Sequence, residues 1–413
     1  MQRREFLGRL GVKCAGVLAL GAAAGCHGSR FAGRSRSKKA VTLNGIDVLV
    51  EQGFAPLKNL RLGLITNHTG HDRQRRPTID LLMNATGVQL KALFGPEHGI
   101  RGEVDEKFGD SVDRKTGLPI YSLYGEDRSP KAENLRGMDA LVFDIQDIGC
   151  RFYTYPSTMG LALEAAGKAG LKMFVLDRVN PINGVAMEGP LHHGQRSFTA
   201  FHAVPLRHGM TVGELAQMYN AEQKFGADLT VIRVEGWRRS EWFDETELPW
   251  TNQSPNMRSL PAATLYPGLG LHETALSVGR GTDKPFEMAG APYIDDVKFA
   301  AELSSAGLPG VRFVPVRFTP TYSTFKDKPC GGVAFVITDR ERMNAVDVGI
   351  QMALTLQWLY PNDFALAKVN TLLQHPTTIE AIKANQSLAE IKKAWAAELA
   401  VFKQRRKQFL LYT

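Results

Sequence analysis

Three features of this 413-residue chain predict an α/β fold, with a parallel sheet in its longer first part and a smaller α+β domain at its end. Four short apolar runs each give way to a polar loop bearing Gly or Pro. Helix-like segments with recognisable ends lie between them. After an irregular stretch the pattern changes to two strands flanked by helices. Strands alternating with helices imply a parallel sheet covered on both faces.

The runs are "RLGLIT" (61–66) into "NHTGHD", "LKALF" (90–94) into "GPEHGIRG", "ALVF" (140–143) into "DIQDIGCRFYTY", and "MFVL" (173–176) into "DRVNPING". Between them "TIDLLMNA" follows Pro77, and "STMGLALEAAGKAG" opens on Ser157-Thr158 and closes on Gly170, as helix ends do. "MTVGELAQMYNAEQKFG" and "LTVIRVEGW" add a helix and a strand. From about residue 237 the chain is rich in Pro, Gly and Trp with little periodicity, and a loop region that long is usually functional. The closing elements are a helix in "IDDVKFAAELSSAG", strands in "VRFVPVRF" and "GGVAFVITD", a helix in "MNAVDVGIQMALTLQWLY" and one last helical stretch over 377–412. Residues 43–289 are read as the parallel-sheet domain and 290–413 as the smaller one.

Charge argues against nucleic acid as a partner. The net charge of +8 suggests it, but residues 1–39 hold nine Lys/Arg against Glu5 alone, so the rest carries 41 basic and 41 acidic residues. The leader has its own meaning. "RREFLGRL" sets Arg3-Arg4 before the apolar run "GVLALGAAAG", which is too short to span a bilayer. This is the layout of a twin-arginine export signal. Small residues directly precede Cys26, so residues 1–26 are expected to be a lipoprotein signal with a lipid anchor on Cys26. Residues 27–42 then form a basic flexible linker, and the protein is expected to be exported to the periplasm or cell envelope and held on the membrane. Only Cys150 and Cys330 remain beyond Cys14 and Cys26, too few for a disulfide scaffold.

In an α/β sheet, ligands bind outside the carboxyl ends of the strands, so all four polar loops fall on the functional rim. No Gly-x-Gly-x-x-Gly follows the first strand, no Walker loop is present, and no Gly-x-Ser-x-Gly elbow supports a Ser/His/Asp hydrolase. His68, His71, His98, His208, Asp144 and Asp147 can converge there, but no pair has the spacing of a zincin, and no metal or other cofactor is expected. Carboxylates are the stronger signal. Glu97, Asp144, Asp147, Asp177, Glu188 and Glu273 sit in Gly/Pro-rich loops, and hydrolysing a glycosidic bond needs a protonated carboxyl opposite an ionised one. Glu97, against apolar neighbours, suits the general acid. Its other reading is a loop brace, as Asp144's is a buried hydrogen-bonding anchor. Arg151, Arg178 and Arg280 can form ion pairs or read an anionic substrate by bidentate contact. Tyr153, Tyr155 and Trp250 can stack on sugars or pack in the core.

The ordered series "GLITNHTG", "LFGPEHGIRG", "FDIQDIGCRFYTY", "LDRVNPING", "RHGMTVGELA", "LPW...SPNM" and "SVGRGTDKPFEMAGAPY" resembles the exo-β-N-acetylmuramidase family of the NamZ type over roughly 43–413. The resemblance implies a Rossmann-like N-terminal domain, a smaller C-terminal domain and an active site between them. It implies release of N-acetylmuramic acid from non-reducing ends of peptidoglycan fragments, so a muropeptide or peptidoglycan-derived disaccharide is the expected substrate. Its Pro-Glu-His-Gly motif makes Glu97 the catalytic glutamate, with His98 tuning it and Asp144, Asp147 and Glu273 as further catalytic candidates. Substrate contacts are expected from Asn67, His68, Arg151, Tyr153, Asp177, Arg178, Asn180, His208, Arg280 and Asp283. The chain departs from the family pattern at Val179, where proline is usual, and at Ala275-Leu276, where Thr-Asn is usual.

Overall fold

In the computed structural model, which describes residues 40–97, 99–100, 109–125 and 127–413, the chain from Ala40 to Thr413 is one compact unit. The strands are β1 (Arg61–Thr66), β2 (Gln89–Gly95), β3 (Ser111–Val112), β4 (Pro119–Ser122), β5 (Ala140–Asp144), β6 (Lys172–Leu176), β7 (Glu188–Leu191), β8 (Pro205–Arg207), β9 (Asp228–Ile232), β10 (Met288–Ala291), β11 (Val311–Phe318) and β12 (Cys330–Ile337). The helices are α1 (Gly45–Glu51), α2 (Thr78–Met83), α3 (Tyr155–Ala169), α4 (Val212–Glu222), α5 (Leu260–Leu269), α6 (Asp296–Ser305), α7 (Ala345–Leu359), α8 (Leu366–Leu373), α9 (Pro376–Lys383) and α10 (Leu388–Arg405).

Seven strands form the central sheet in the order β3-β4-β2-β1-β5-β6-β9, parallel throughout except for the short β3–β4 pair. Each of the four apolar runs is a strand because it is buried on both faces. Leu62, Leu64, Val142 and Leu176 join Ile46, Leu49, Ile79 and Leu82 on one side. Ile65, Leu141, Phe143 and Val175 join Met159, Leu163 and Leu215 on the other. Alternate side chains of a strand point to opposite faces, so a strand covered by helices on both sides is apolar at every position. From β1 the chain winds outward through β2 to β4, then returns to pair β5 on the other flank of β1 and continues to β6 and β9. The order reverses between β1 and β5, and the loops leaving their carboxyl ends open a crevice there.

The smaller C-terminal region is the antiparallel sheet β10-β12-β11 with α6 and α7. Helix α5 links it to the rest. Gly268 in α5 and Gly349 in α7 meet so closely that a Cβ on Gly268 would lie 1.8 Å from the Ala345 carbonyl oxygen. The irregular region beyond residue 237 thus contains a helix, α5, formed in spite of Pro267 inside it. The last stretch is not one helix. Asn385 adopts φ 53° and Ser387 caps a new start, so α9 and α10 are separate. Cys150 and Cys330 are buried free thiols.

Candidate active site

A cavity of about 580 Å³ opens beyond the carboxyl ends of β2 and β5, within the range of small-molecule sites. Glu97, Tyr153, Thr154 and Tyr155 line it from the sheet loops, Glu273, Arg280 and Phe286 from the chain after α5, and Leu372 and Gln374 from the end of α8.

Local geometry fixes Glu97. Strand β2 runs into Pro96, the Gly99 N–H returns to the Pro96 carbonyl (3.0 Å), and Gly99 takes φ 69°, a left-handed conformation that suits glycine. The turn presents Glu97 half-buried at its tip. Thr154, immediately before α3, donates its hydroxyl to Glu97 Oε2 at 3.0 Å and fixes one carboxylate oxygen. Tyr153 makes edge-on contacts with Tyr155 (5.0 Å between centroids) and Tyr266 (5.8 Å). Burial pushes all three phenols up, so they stay neutral hydrogen-bond donors under this wall.

Glu273 comes from the other side. Its position follows from the tight α5–α7 crossing and from His272, whose Nε2 donates to the Gly349 carbonyl at 2.9 Å. Burial lowers the His272 pKa to about 4, so this anchor is neutral. Arg280 donates to Glu273 Oε2 at 2.7 Å, and the Arg280 guanidinium lies 5.3 Å over the Phe286 ring. Even so, burial, with the negative charge of Glu97 adding to it, raises the Glu273 pKa against the pull of Arg280. Two carboxylates in different surroundings thus line one cavity.

Several residues expected at the site are elsewhere. Asp144 lies fully buried, accepting Arg178 Nε at 2.6 Å and NH2 at 3.0 Å as well as the Thr78 hydroxyl, and Arg178 also donates to the His71 carbonyl. Each pairs its charge with the other, and neither lines the cavity. Arg151 is buried too. It donates to the carbonyls of Pro190 (3.1 Å), Leu372 (3.1 Å) and Leu373 (2.6 Å), which ties the end of α8 to the β7–β8 connection. A cation at the last carbonyls of a helix is a structural cap. Asp177 accepts from Gly213 N, Thr211 and Tyr412, and Asn180 donates to the Met210 carbonyl and accepts from Ile182 N. Asp147 and His208 are buried with Nε2 3.5 Å from Oδ2, and neither lines the cavity. Asn67 is buried and accepts from Thr69, while His68 Nε2 meets the Asn252 carbonyl at 2.6 Å. Asp283 is exposed, and Trp250 packs edge-on against Phe243 at 5.1 Å. His98 lies outside the described residues. As for a metal, Asp144 already meets Arg178 and Thr78, and among the described residues no three His, Cys, Asp or Glu side chains gather.

The cavity also has walls that the sequence reading missed. Tyr124, Arg128, Ser197, Phe198 and Thr199 line it, with Gln374. They lie in loops without periodicity or motif, so only proximity reveals them.

The sequence model described as "Exo-beta-N-acetylmuramidase NamZ, N-terminal" matches residues 62–261, and its C-terminal counterpart matches 264–412. The chain is 40% identical over 404 residues to the peptidoglycan beta-N-acetylmuramidase NamZ of Bacillus subtilis, covering 96% of this chain and 98% of that protein. It also resembles crystal structures of two DUF1343 family proteins from Bacteroides fragilis. One has TM-score 0.85 and 36% identity, covering 90% of this chain and 99% of the other. The second has TM-score 0.75 and 30% identity, covering 91% and 99%.

Proposed function

The chain belongs to the exo-β-N-acetylmuramidase NamZ family, and from that premise we propose that it is a glycoside hydrolase releasing N-acetylmuramic acid from non-reducing ends of peptidoglycan fragments, with Glu97 and Glu273 as its catalytic carboxylates. The observation that carries this reading is the pair itself, two glutamates lining one cavity, one fixed by Thr154 and the other held by Arg280. Glu97 gives its proton to the leaving oxygen and, as a carboxylate, then takes one from the water that adds to the sugar. Glu273 in its ionised form stabilises positive charge developing at the sugar, either directly or by orienting the 2-acetamido group. Tyr153 supplies a neutral donor at the cavity floor. In the same reading residues 43–289 form the catalytic domain and 290–413 the smaller domain.

Turnover of a chromogenic N-acetylmuramide tests the activity. The expected result is release of the chromophore by the purified protein. Binding without release would instead make the protein a cell-wall-binding module.

Residues 1–39 support a second part of the proposal. The Arg3-Arg4 leader and the small residues before Cys26 support export and a diacylglyceryl anchor, which places the enzyme on the membrane of the cell envelope. Cys26→Ser is expected to release the protein from membranes or stall its processing. An unmodified mature N-terminus downstream of Cys26, seen by mass spectrometry, would remove the anchor.

A further inference from the structure

Muramic acid differs from glucosamine by its lactyl ether, whose carboxylate is ionised at neutral pH. A cleft that accepts this group must replace its hydration with a cation or several N–H donors. Arg151 and Arg178 are sealed in structural contacts, and Arg280 already holds Glu273. A substrate carboxylate on Arg280 would compete with a catalytic one.

We propose that Arg128, set over the Phe198 ring at the cavity wall, is the specificity-determining residue that reads the lactyl carboxylate. This rests on the muramidase reading above. The Arg128 guanidinium carbon lies 4.4 Å from the centre of the Phe198 ring, and its Nε donates to the Gly125 carbonyl at 3.3 Å. The adjacent Asp127 is engaged by Lys131 at 2.8 Å, and both Arg128 and Phe198 line the cavity. With the ring on one side and the Gly125 carbonyl at Nε, the terminal nitrogens have no hydrogen-bond partner among the described residues, and a planar guanidinium presents two parallel donors to a carboxylate.

The platform is built from distant parts of the chain. Residues 197–200 form a tight turn, Ser197 N to Ala200 O at 3.1 Å and Ala200 N to Ser197 O at 3.2 Å, with Phe198 within it. Gln374 Nε2 clamps that turn through Ser197 Oγ (3.1 Å) and Thr199 Oγ1 (2.7 Å). Gln374 itself is the left-handed cap of α8 (φ 46°), on the helix end that Arg151 holds. Arg151 therefore serves recognition indirectly, as a positioning residue for the surface on which Arg128 lies.

The test compares kcat/KM for a chromogenic N-acetylmuramide and for its lactyl methyl ester, which has the same shape without the charge. Arg128→Met is expected to lower the acid-to-ester ratio by about 10- to 100-fold, the range of one charge-assisted contact. Arg128→Lys keeps the charge without the planar fork and should lower the ratio less. Phe198→Leu, which removes the platform, should lower it by roughly 3-fold. Arg128 is exposed, so an unchanged melting curve verifies the fold. Arg128→Met with the wild-type ratio would overturn the proposal, the more clearly if Arg280→Met abolished the preference. A wild-type protein that turned over neither substrate would overturn the muramidase reading and this inference with it.

Discussion

Two carboxylate–arginine pairs, one at the carboxyl ends of β5 and β6 and one in the chain after α5, differ in what surrounds them. Asp144 and Arg178 meet through two hydrogen bonds with side chains 0% and 3% exposed, and Thr78 and the His71 carbonyl take up what remains. Glu273 and Arg280 share a 2.7 Å contact with side chains 21% and 26% exposed, on the wall of a cavity. The first pair is buried and fully engaged, whereas the second is partly exposed on a cavity wall. Burial and the number of further partners thus separate a pair that braces the fold from one that a ligand can reach. Asp177 is a third case, a fully buried carboxylate that accepts from the Thr211 and Tyr412 hydroxyls and from the backbone N–H groups of Arg178 and Gly213, and burial pushes its pKa up to about 6.

The largest effect should fall on Glu97, which shares the cavity with Glu273. Glu97→Gln keeps the shape and the Thr154 contact but cannot transfer a proton, so kcat should fall roughly 10²–10⁴-fold with the fold intact. A substrate with a leaving group of low pKa should recover part of that loss, and near-normal turnover by the variant would break the assignment. The closed pair should answer in stability. Asp144→Ala leaves the Arg178 charge buried and unpaired, at a cost of about 3–5 kcal/mol, measured by denaturant unfolding. If Asp144→Ala unfolds like wild type, the distinction between the two pairs is wrong.

Asp177 sharpens the comparison through pH. Its folded pKa of about 6 lies above the ordinary 3.8, so the folded state holds the proton more tightly than the unfolded chain. Its contribution to stability is then full below about pH 4 and is lost as pH rises through about 6, by about 3 kcal/mol in total. The difference in unfolding free energy between wild type and Asp177→Asn, followed from pH 4 to 7, should show that slope. A flat difference would mean that the hydroxyl donors alone satisfy the carboxylate.

Glu273→Gln should have the smallest effect, a loss of roughly 10- to 100-fold in kcat/KM with little change in melting temperature. Its pKa is raised, so the ionised form disappears as pH falls through a range above that of an ordinary glutamate. The acid limb of the wild-type pH–rate profile should lie there and vanish in the variant.

Much of the fold was legible because its causes are local. A run such as "RLGLIT" or "ALVF" has apolar side chains on both faces, and only a strand covered by helices buries both. The helix after Thr211 carries its own capping box with Glu214, and "GPEHG" carries the turn that exposes Glu97. Other elements were hidden because their stability is not local. Helix α5 contains Pro267 and persists through its contact with α7, and the β7–β8 pair is short and bulged. The reading of 377–412 as a helical stretch did not show the break at Asn385, where the strong helix formers on either side mask one left-handed residue.

By itself the sequence determined the parallel sheet, the rim that bears the chemistry, the carboxylate on the Pro-Glu-His-Gly turn and the near-neutral body behind a basic leader, because each follows from the composition and spacing of neighbouring residues. Only the tertiary structure decided which charged residues face the cavity. Asp144 and Arg178 are 34 positions apart and meet because β5 and β6 are adjacent strands, each residue lying at or just past its strand's carboxyl end. Arg128, Phe198 and Gln374 share a wall because three loops close on one another at that rim. A charge's partner and its access to solvent depend on what the fold brings to within a few ångströms, and local pattern carries no record of that distance.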